Sequence, residues 1–257
     1  MLSRSAILCT ISLLSFASTS QGAPFGFAED NDLWKQDASF EKDGMTKDEF
    51  DLVLDASQEA YTDVAQEHGL SLKIHHSWNN STVNAVSSRL LWMVNINMYG
   101  GLARRPEISR DGLAMVLCHE LGHAFAGKPY ASPLFKLSAE GMSDYYAAGK
   151  CMREVLPKIP VDTGTITSTE FTREKCREKH GQDIENYEIC LRQLAAGQSL
   201  GDLLAAMKDV EKPSYQTPDH TVVSRTLTSY PDTIQCRLDT YLAGALEMPK
   251  PSCWFAE

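Results

Sequence analysis

The chain has 257 residues, 43% hydrophobic and 23% charged, with a formal net charge of −10. That length suits one domain with a sizeable core, or one domain with a small appendage, and the balance excludes an intrinsically disordered chain. The acidic excess, with no basic run, argues against nucleic acid or an anionic membrane surface as a partner.

Residues 1–22 read as a secretory signal: Arg4 supplies the positive start, Ala6 to Phe16 the apolar centre, and Ser18, Ser20, Gly22 and Ala23 the small residues for cleavage. The apolar stretch is too short for an ordinary membrane span, and no second candidate follows. The expectation is a soluble exported protein, periplasmic or extracellular. Cys118, Cys151, Cys176, Cys190, Cys236 and Cys253 remain after the signal, an even set that favours disulfides in an oxidising compartment. Their pairing is open, although Cys176 and Cys190 are candidates for each other. Cys118 and Cys151 have a rival reading as metal ligands, because one adjoins His119 and the other shares a helix with Glu140.

Ala23 to Lys42 is mixed and reads as a loosely held amino-terminal segment. Thr46 to Glu67 has Phe50, Val53, Leu54, Tyr61 and Val64 near helical spacing, with Thr46 and Glu49 forming a capping-box pattern. Leu70 to Trp78 reads as a strand, and Asn79 and Asn80 as a turn. Val83 to Tyr99 reads as one strand running to Gly100. Arg104 and Arg105 read as a solvated loop, and His75 and His76 as structural residues of a strand.

Asp111 to Phe125 then reads as an apolar helix carrying His119-Glu120-Leu121-Gly122-His123, an H-E-x-x-H. Histidines four apart share a helical face, so both imidazoles can reach one metal ion while Glu120 addresses a water bound to it. Gly122 lets another backbone come close, and Gly127 and Pro129 end the helix. A second helix runs from Glu140 to about Val155, closed by Pro157 and Pro160. Glu140 is a suitable third ligand, and Asp144, one turn later, can accept the free N–H of a ligating histidine. Helices follow at Glu170 to Lys179 and Asp183 to Ala196, then a separate short one from Leu200 capped by Ser199. Pro231 opens the last amphipathic helix.

H-E-x-x-H followed by E-x-x-x-D resembles the gluzincin metallopeptidases, the group that includes the thermolysin-like enzymes. The likeness covers Trp92 to Met152; the gap from His123 to Glu140 is shorter than in the thermolysin-like enzymes, which leaves the subfamily open. The resemblance implies a zincin-like catalytic core in an α+β fold, spanning residues 23–157, with a helical part, 158–257, packed on it. It implies one Zn2+ held by His119, His123 and Glu140, with Glu120 as general base and Asp144 orienting a histidine. It also implies a peptide or protein substrate, paired as an added strand on a sheet edge beside the metal, for which the strand ending at Tyr99, just before the helix, is the candidate, an ordinary sheet strand being the alternative. Such enzymes place a later histidine, tyrosine or arginine on the developing oxyanion. His220, in a loop bounded by prolines, is the first candidate, with Tyr145, Tyr146, Arg225 and Tyr230 behind it. The rival class is a zinc-bearing binding or scaffold protein of the envelope without turnover.

Overall fold

The computed structural model describes residues 25–35, 44–161 and 167–256; the signal expected over residues 1–22 lies outside them. The described chain is α+β. It begins with a short strand, β1 (Phe25–Gly26), and then the helix α1 (Lys47–Glu67). The capping box forms as expected: Thr46 accepts from the Glu49 N–H, and the Glu49 carboxylate accepts from the Thr46 N–H at 2.9 Å. One face of α1 buries Phe50, Val53, Leu54 and Tyr61.

The strands β2 (Ser71–Ser77), β3 (Ala85–Leu90) and β4 (Met93–Tyr99) join β1 in a sheet of order β1-β3-β4-β2. β2 runs parallel to β4, while β3 is antiparallel to both β4 and β1. Two sequence expectations fail here. Residues 83–99 form a hairpin and not one strand, because the chain reverses at Leu91 and Trp92, with Leu91 at φ 54°. The apolar pattern reads straight through this turn: Leu90, Leu91, Trp92 and Met93 are all exposed at its tip, and no glycine or asparagine marks the left-handed position. In addition, β4 is interior to the sheet rather than its edge. Alternation of Val94, Ile96 and Met98 records burial of one face, not which strands flank it.

After the short helix α2 (Gly100–Ala103), α3 (Arg110–Phe125) is capped by Ser109, whose hydroxyl accepts from the Gly112 N–H at 3.0 Å. Every residue from Asp111 to His123 is buried. A helix buried all round lies at the centre of its fold. Two short strands, β5 (Tyr130–Ser132) and β6 (Leu137–Ser138), lead to α4 (Glu140–Tyr146). A π-helical segment, Ala147–Cys151, carries α4 directly into α5 (Met152–Val155), so the second helix ends where the sequence puts its end.

Of the helices α6 (Glu170–His180), α7 (Ile184–Lys208) and α8 (Ile234–Leu246), α7 packs on α3, α8 packs on α4, and α6 packs on α7 and α8. α7 is continuous, which corrects the separate helix expected after Ser199. The Ser199 hydroxyl caps nothing in its own helix. It donates to Glu107 O at 2.7 Å and accepts from the Ser109 N–H at 3.2 Å, tying α7 to the start of α3. Arg192, also on α7, makes a buried two-pronged ion pair with Asp111 at 2.8 and 2.7 Å. α8 starts at Ile234 rather than Pro231, because Thr233 accepts from the Cys236 N–H and caps it.

The described cysteines pair as Cys118–Cys151, Cys176–Cys190 and Cys236–Cys253. The first bond joins α3 to the π segment and removes Cys118 and Cys151 as metal ligands. These disulfides fit an oxidising, exported environment. No helix among the described residues is long and apolar enough to cross a membrane.

α3 and α4 meet closely at Gly122. A Cβ added there would lie 2.7 Å from Ser143 Cα and 2.9 Å from Ser143 O, both backbone atoms. Gly122→Ala should therefore destabilise the protein by about 1–3 kcal/mol in chemical denaturation, despite the better helix propensity of alanine.

Candidate metal centre

His119 and His123 lie one turn apart on α3, with ring centroids 4.8 Å apart. Glu140, the first residue of α4, reaches both rings: Oε2 is 3.1 Å from His119 Nε2, and Oε1 is 3.7 Å from His123 Nε2. Ligand atoms of the three residues all lie within 4.8 Å of one another. Zinc bonds to nitrogen and oxygen of about 2.0–2.2 Å can be accommodated by such a cluster.

The opposite ring nitrogens are turned away from this point. His119 Nδ1–H donates to Asp144 Oδ1 at 2.6 Å, and His123 Nδ1–H donates to the Ser138 carbonyl of β6 at 2.9 Å. Ser143 Oγ lies 3.1 Å from the same His123 nitrogen. Each bond fixes a tautomer that leaves Nε2 as the donor atom toward the shared point.

Asp144 is fully buried and is the most heavily bonded group of the site. Arg237 of α8 donates from Nε to Oδ2 at 2.8 Å and from Nη2 to Oδ1 at 2.9 Å, and Tyr241 OH donates to Oδ1 at 3.2 Å. Burial opposes the charge of Asp144, but Arg237 and His119 outweigh it and hold the carboxyl at about 2. Arg237 also donates from Nη1 to Phe27 O at 2.8 Å and lies 4.8 Å above the Phe27 ring. That ring in turn meets His119 edge-on at 5.7 Å. The sequence alone assigns no role at the site to Arg237, Tyr241, Phe27 or Ser138. One signal for the first was available: an arginine one turn before Tyr241, on a face otherwise carrying Leu238 and Ala245, calls for a buried partner.

Glu120 is fully buried beside the cluster; neither carboxylate oxygen has a hydrogen bond of ordinary geometry, and the Ser87 hydroxyl of β3 is the polar group close enough to act on it. Burial pushes its carboxyl up to about 8, with His119 pulling down, Glu140 pushing up and Ser87 of β3 pulling down. Burial also works against a charged His119 ring, but Asp144 and then Glu140 raise that ring to about 10. His123 goes the other way, lowered by burial to about 4 against the pull of Glu140.

These residues fit a metal ion. Both Glu120 oxygens lack a hydrogen bond of ordinary geometry, and the buried His119 Nε2 and Glu140 Oε2 have only each other, at 3.1 Å. Buried atoms of this kind cost stability unless something completes them, and a divalent cation with a bound water would do so for this donor set. A second group, Asp219 with Cys236 and Cys253, offers no comparable set because its cysteines are joined to each other.

The oxyanion candidates sort differently from the sequence order. His220 is exposed, and its charge is felt by Asp219 and Asp239 rather than by the cluster. Its loop is pinned: Asp219 N–H donates to Asp239 Oδ2 at 2.7 Å, and Thr233 donates to the Asp219 carboxylate. These contacts of its neighbour Asp219 lend His220 no support as a group at the cluster. Arg225 is exposed as well. Tyr145 OH donates to Met248 O, and the Tyr146 hydroxyl pairs with Tyr61. Tyr230 remains. Burial raises its hydroxyl, and the charges of Glu140, Glu120 and Asp144 raise it further, so it stands on the side of the cluster.

Arg237→Leu should leave the Asp144 charge buried without its main partner, costing about 3–5 kcal/mol in chemical unfolding. Asp144→Asn keeps the shape but weakens the grip on His119. Metal affinity, measured by competition with a chelator, should fall about ten- to a hundredfold.

The chain matches no protein-family model, no curated protein and no solved structure, so the site is defined by its own residues alone.

Proposed function

We propose that the protein is an exported zinc-dependent metallopeptidase of gluzincin type, with a zincin-like core and a peptide or protein as substrate. The observation that carries this reading is the Glu120 carboxylate. It is fully buried, has no charged partner bonded to either oxygen and only the Ser87 hydroxyl close by, and is on the same helix as two of three clustered ligands. A structural carboxylate in that position would be paired.

His119, His123 and Glu140 would hold the ion, leaving a fourth position open. When bound, zinc supplies a Lewis acid for the carbonyl and a water of lowered pKa. Glu120 takes the proton of the attacking water and passes it to the leaving amine. Burial raises its carboxyl above the ordinary carboxylate range, which favours a group that takes up and returns a proton. Asp144 keeps the His119 ring oriented and its Nδ1 protonated, which strengthens Nε2 as a ligand. Tyr230, in the role first expected of His220, would serve a developing oxyanion once its hydroxyl gives up its bond to Gly26 O.

One observation favours the rival reading of a zinc-bearing binding or scaffold protein: His119, Glu120 and His123 are 0% exposed and Glu140 is 3% exposed, so the cluster is closed to solvent. Two measurements separate the readings. The purified oxidised protein should carry about one zinc per chain, lost in a His119→Ala/His123→Ala double variant. Glu120→Gln should retain that zinc and lose hydrolysis of a peptide library that the natural chain cleaves. Zinc in both forms with turnover in neither would favour the scaffold, and surviving turnover in Glu120→Gln would sink the mechanism.

A further inference from the structure

The chain's own amino-terminal strand packs beside the cluster, with Phe27 edge-on to His119. β1 lies antiparallel on the outer edge of β3, with Phe25 opposite Ser87 and Gly26 opposite Val86. The pairing continues beyond the strand, since Phe27 N–H donates to Ala85 O at 3.0 Å. Asn84 then clamps Ala28 twice, accepting from its N–H at 3.1 Å and donating to its carbonyl at 2.8 Å. The other side of β3 is filled by β4, so β1 takes the free edge of the strand whose Ser87 lies beside Glu120.

Side chains around the cluster grip the backbone of this segment. Tyr230 donates its hydroxyl to Gly26 O, and Arg237 donates Nη1 to Phe27 O at 2.8 Å. The Phe27 ring is fully buried and meets His119 edge-on. An extended segment is thus held antiparallel on a sheet edge beside a buried general base, with two successive carbonyls bonded by a tyrosine and an arginine of that same site. These are the contacts that strand addition would give to a bound peptide.

We propose that the segment Phe25–Ala28 is an internal occupant of the place an extended substrate takes on β3, and that the protein is held closed until this segment is displaced. The proposal rests on the peptidase reading for what enters afterwards, but not for the closure itself. Backbone bonds are indifferent to sequence, so any extended peptide can replace those of β1. Selectivity is left to the pocket against His119 that Phe27 fills and to the amide of Asn84. The ligand class is therefore an extended peptide with an aromatic residue at the Phe27 position. Displacement need not break the site, because Arg237 keeps both of its bonds to Asp144 when Phe27 O leaves.

The test uses the full zinc-loaded chain and two variants, Phe27→Ala and Asn84→Ala. The second leaves the buried aromatic ring in place should the first fail to fold. The readouts are the rate at which a chromogenic chelator removes zinc and the turnover of fluorogenic peptides. We expect unchanged zinc content, at least a tenfold faster zinc loss, and at least a tenfold higher turnover in both variants. A synthetic peptide with the sequence Pro24 to Asp30 should bring the Asn84→Ala values back down, and the same peptide with alanine at the Phe27 position should not. Zinc loss as slow in both folded variants as in the natural chain would overturn the closure and leave the peptidase reading standing. Faster zinc loss with no turnover in any form would overturn the peptidase reading and leave the closure standing. A natural chain that binds no zinc would overturn both.

Discussion

The buried carboxylate of Asp144 is the constraint on which the rest of the site depends. A lone charge at that depth would be heavily penalised, and the fold meets the penalty with bonds from three directions. His119 comes from α3, Arg237 and Tyr241 come from α8, and Asp144 itself is on α4. Arg237 extends the network to β1 through Phe27 O. Four elements distant in sequence are thereby held in one register. The ligand geometry is set as much by α8, which offers no ligand, as by the helices that do.

A second set of ties fixes the rotation of α3. A helix buried on every side has no amphipathic stripe to tell it which way to face, so orientation must come from specific contacts. The Asp111–Arg192 ion pair holds its first turn against α7, and the Cys118–Cys151 disulfide holds its middle against the π segment. Gly122 lets the Ser143 backbone come close enough for Glu140 to reach both histidines. Rotating α3 by one residue would break all three ties together. The same rotation would carry His119 and His123 away from Glu140, so the site and the core are specified by the same contacts.

The parts legible in the sequence are those that local periodicity encodes. The spacing of His119 and His123, and of Glu140 and Asp144, is converted to geometry by the helix alone. The capping box at Thr46 and the end of α3 are equally local. What stayed hidden depends on partners far along the chain. Arg237 meets Asp144 across most of a domain, and an isolated arginine has no motif. Ser199 looked like a cap because serines often cap helices, yet its hydroxyl serves the neighbouring helix. The hairpin tip at Leu91 and Trp92 breaks the usual chemistry of turns, so its apolar residues passed for strand. His220 was favoured because proline-bounded loops suggest movement, whereas two hydrogen bonds at Asp219 pin this one to the start of α8.

Closure and ligand orientation are separable in this architecture, which is why a buried site need not be an inert one. The bonds that orient the metal-facing nitrogens run from Asp144 and Ser138, both outside β1. The bonds that hold β1 end on β3 backbone, on Asn84, on Tyr230 and on a single nitrogen of Arg237. Displacement of β1, as proposed, would leave the bonds of Arg237 to the Asp144 carboxylate in place. It would also free the Tyr230 hydroxyl, which spends its proton on Gly26 O while the edge is filled. The group that grips the internal strand is thus the one that would serve an incoming carbonyl, and it cannot do both at once.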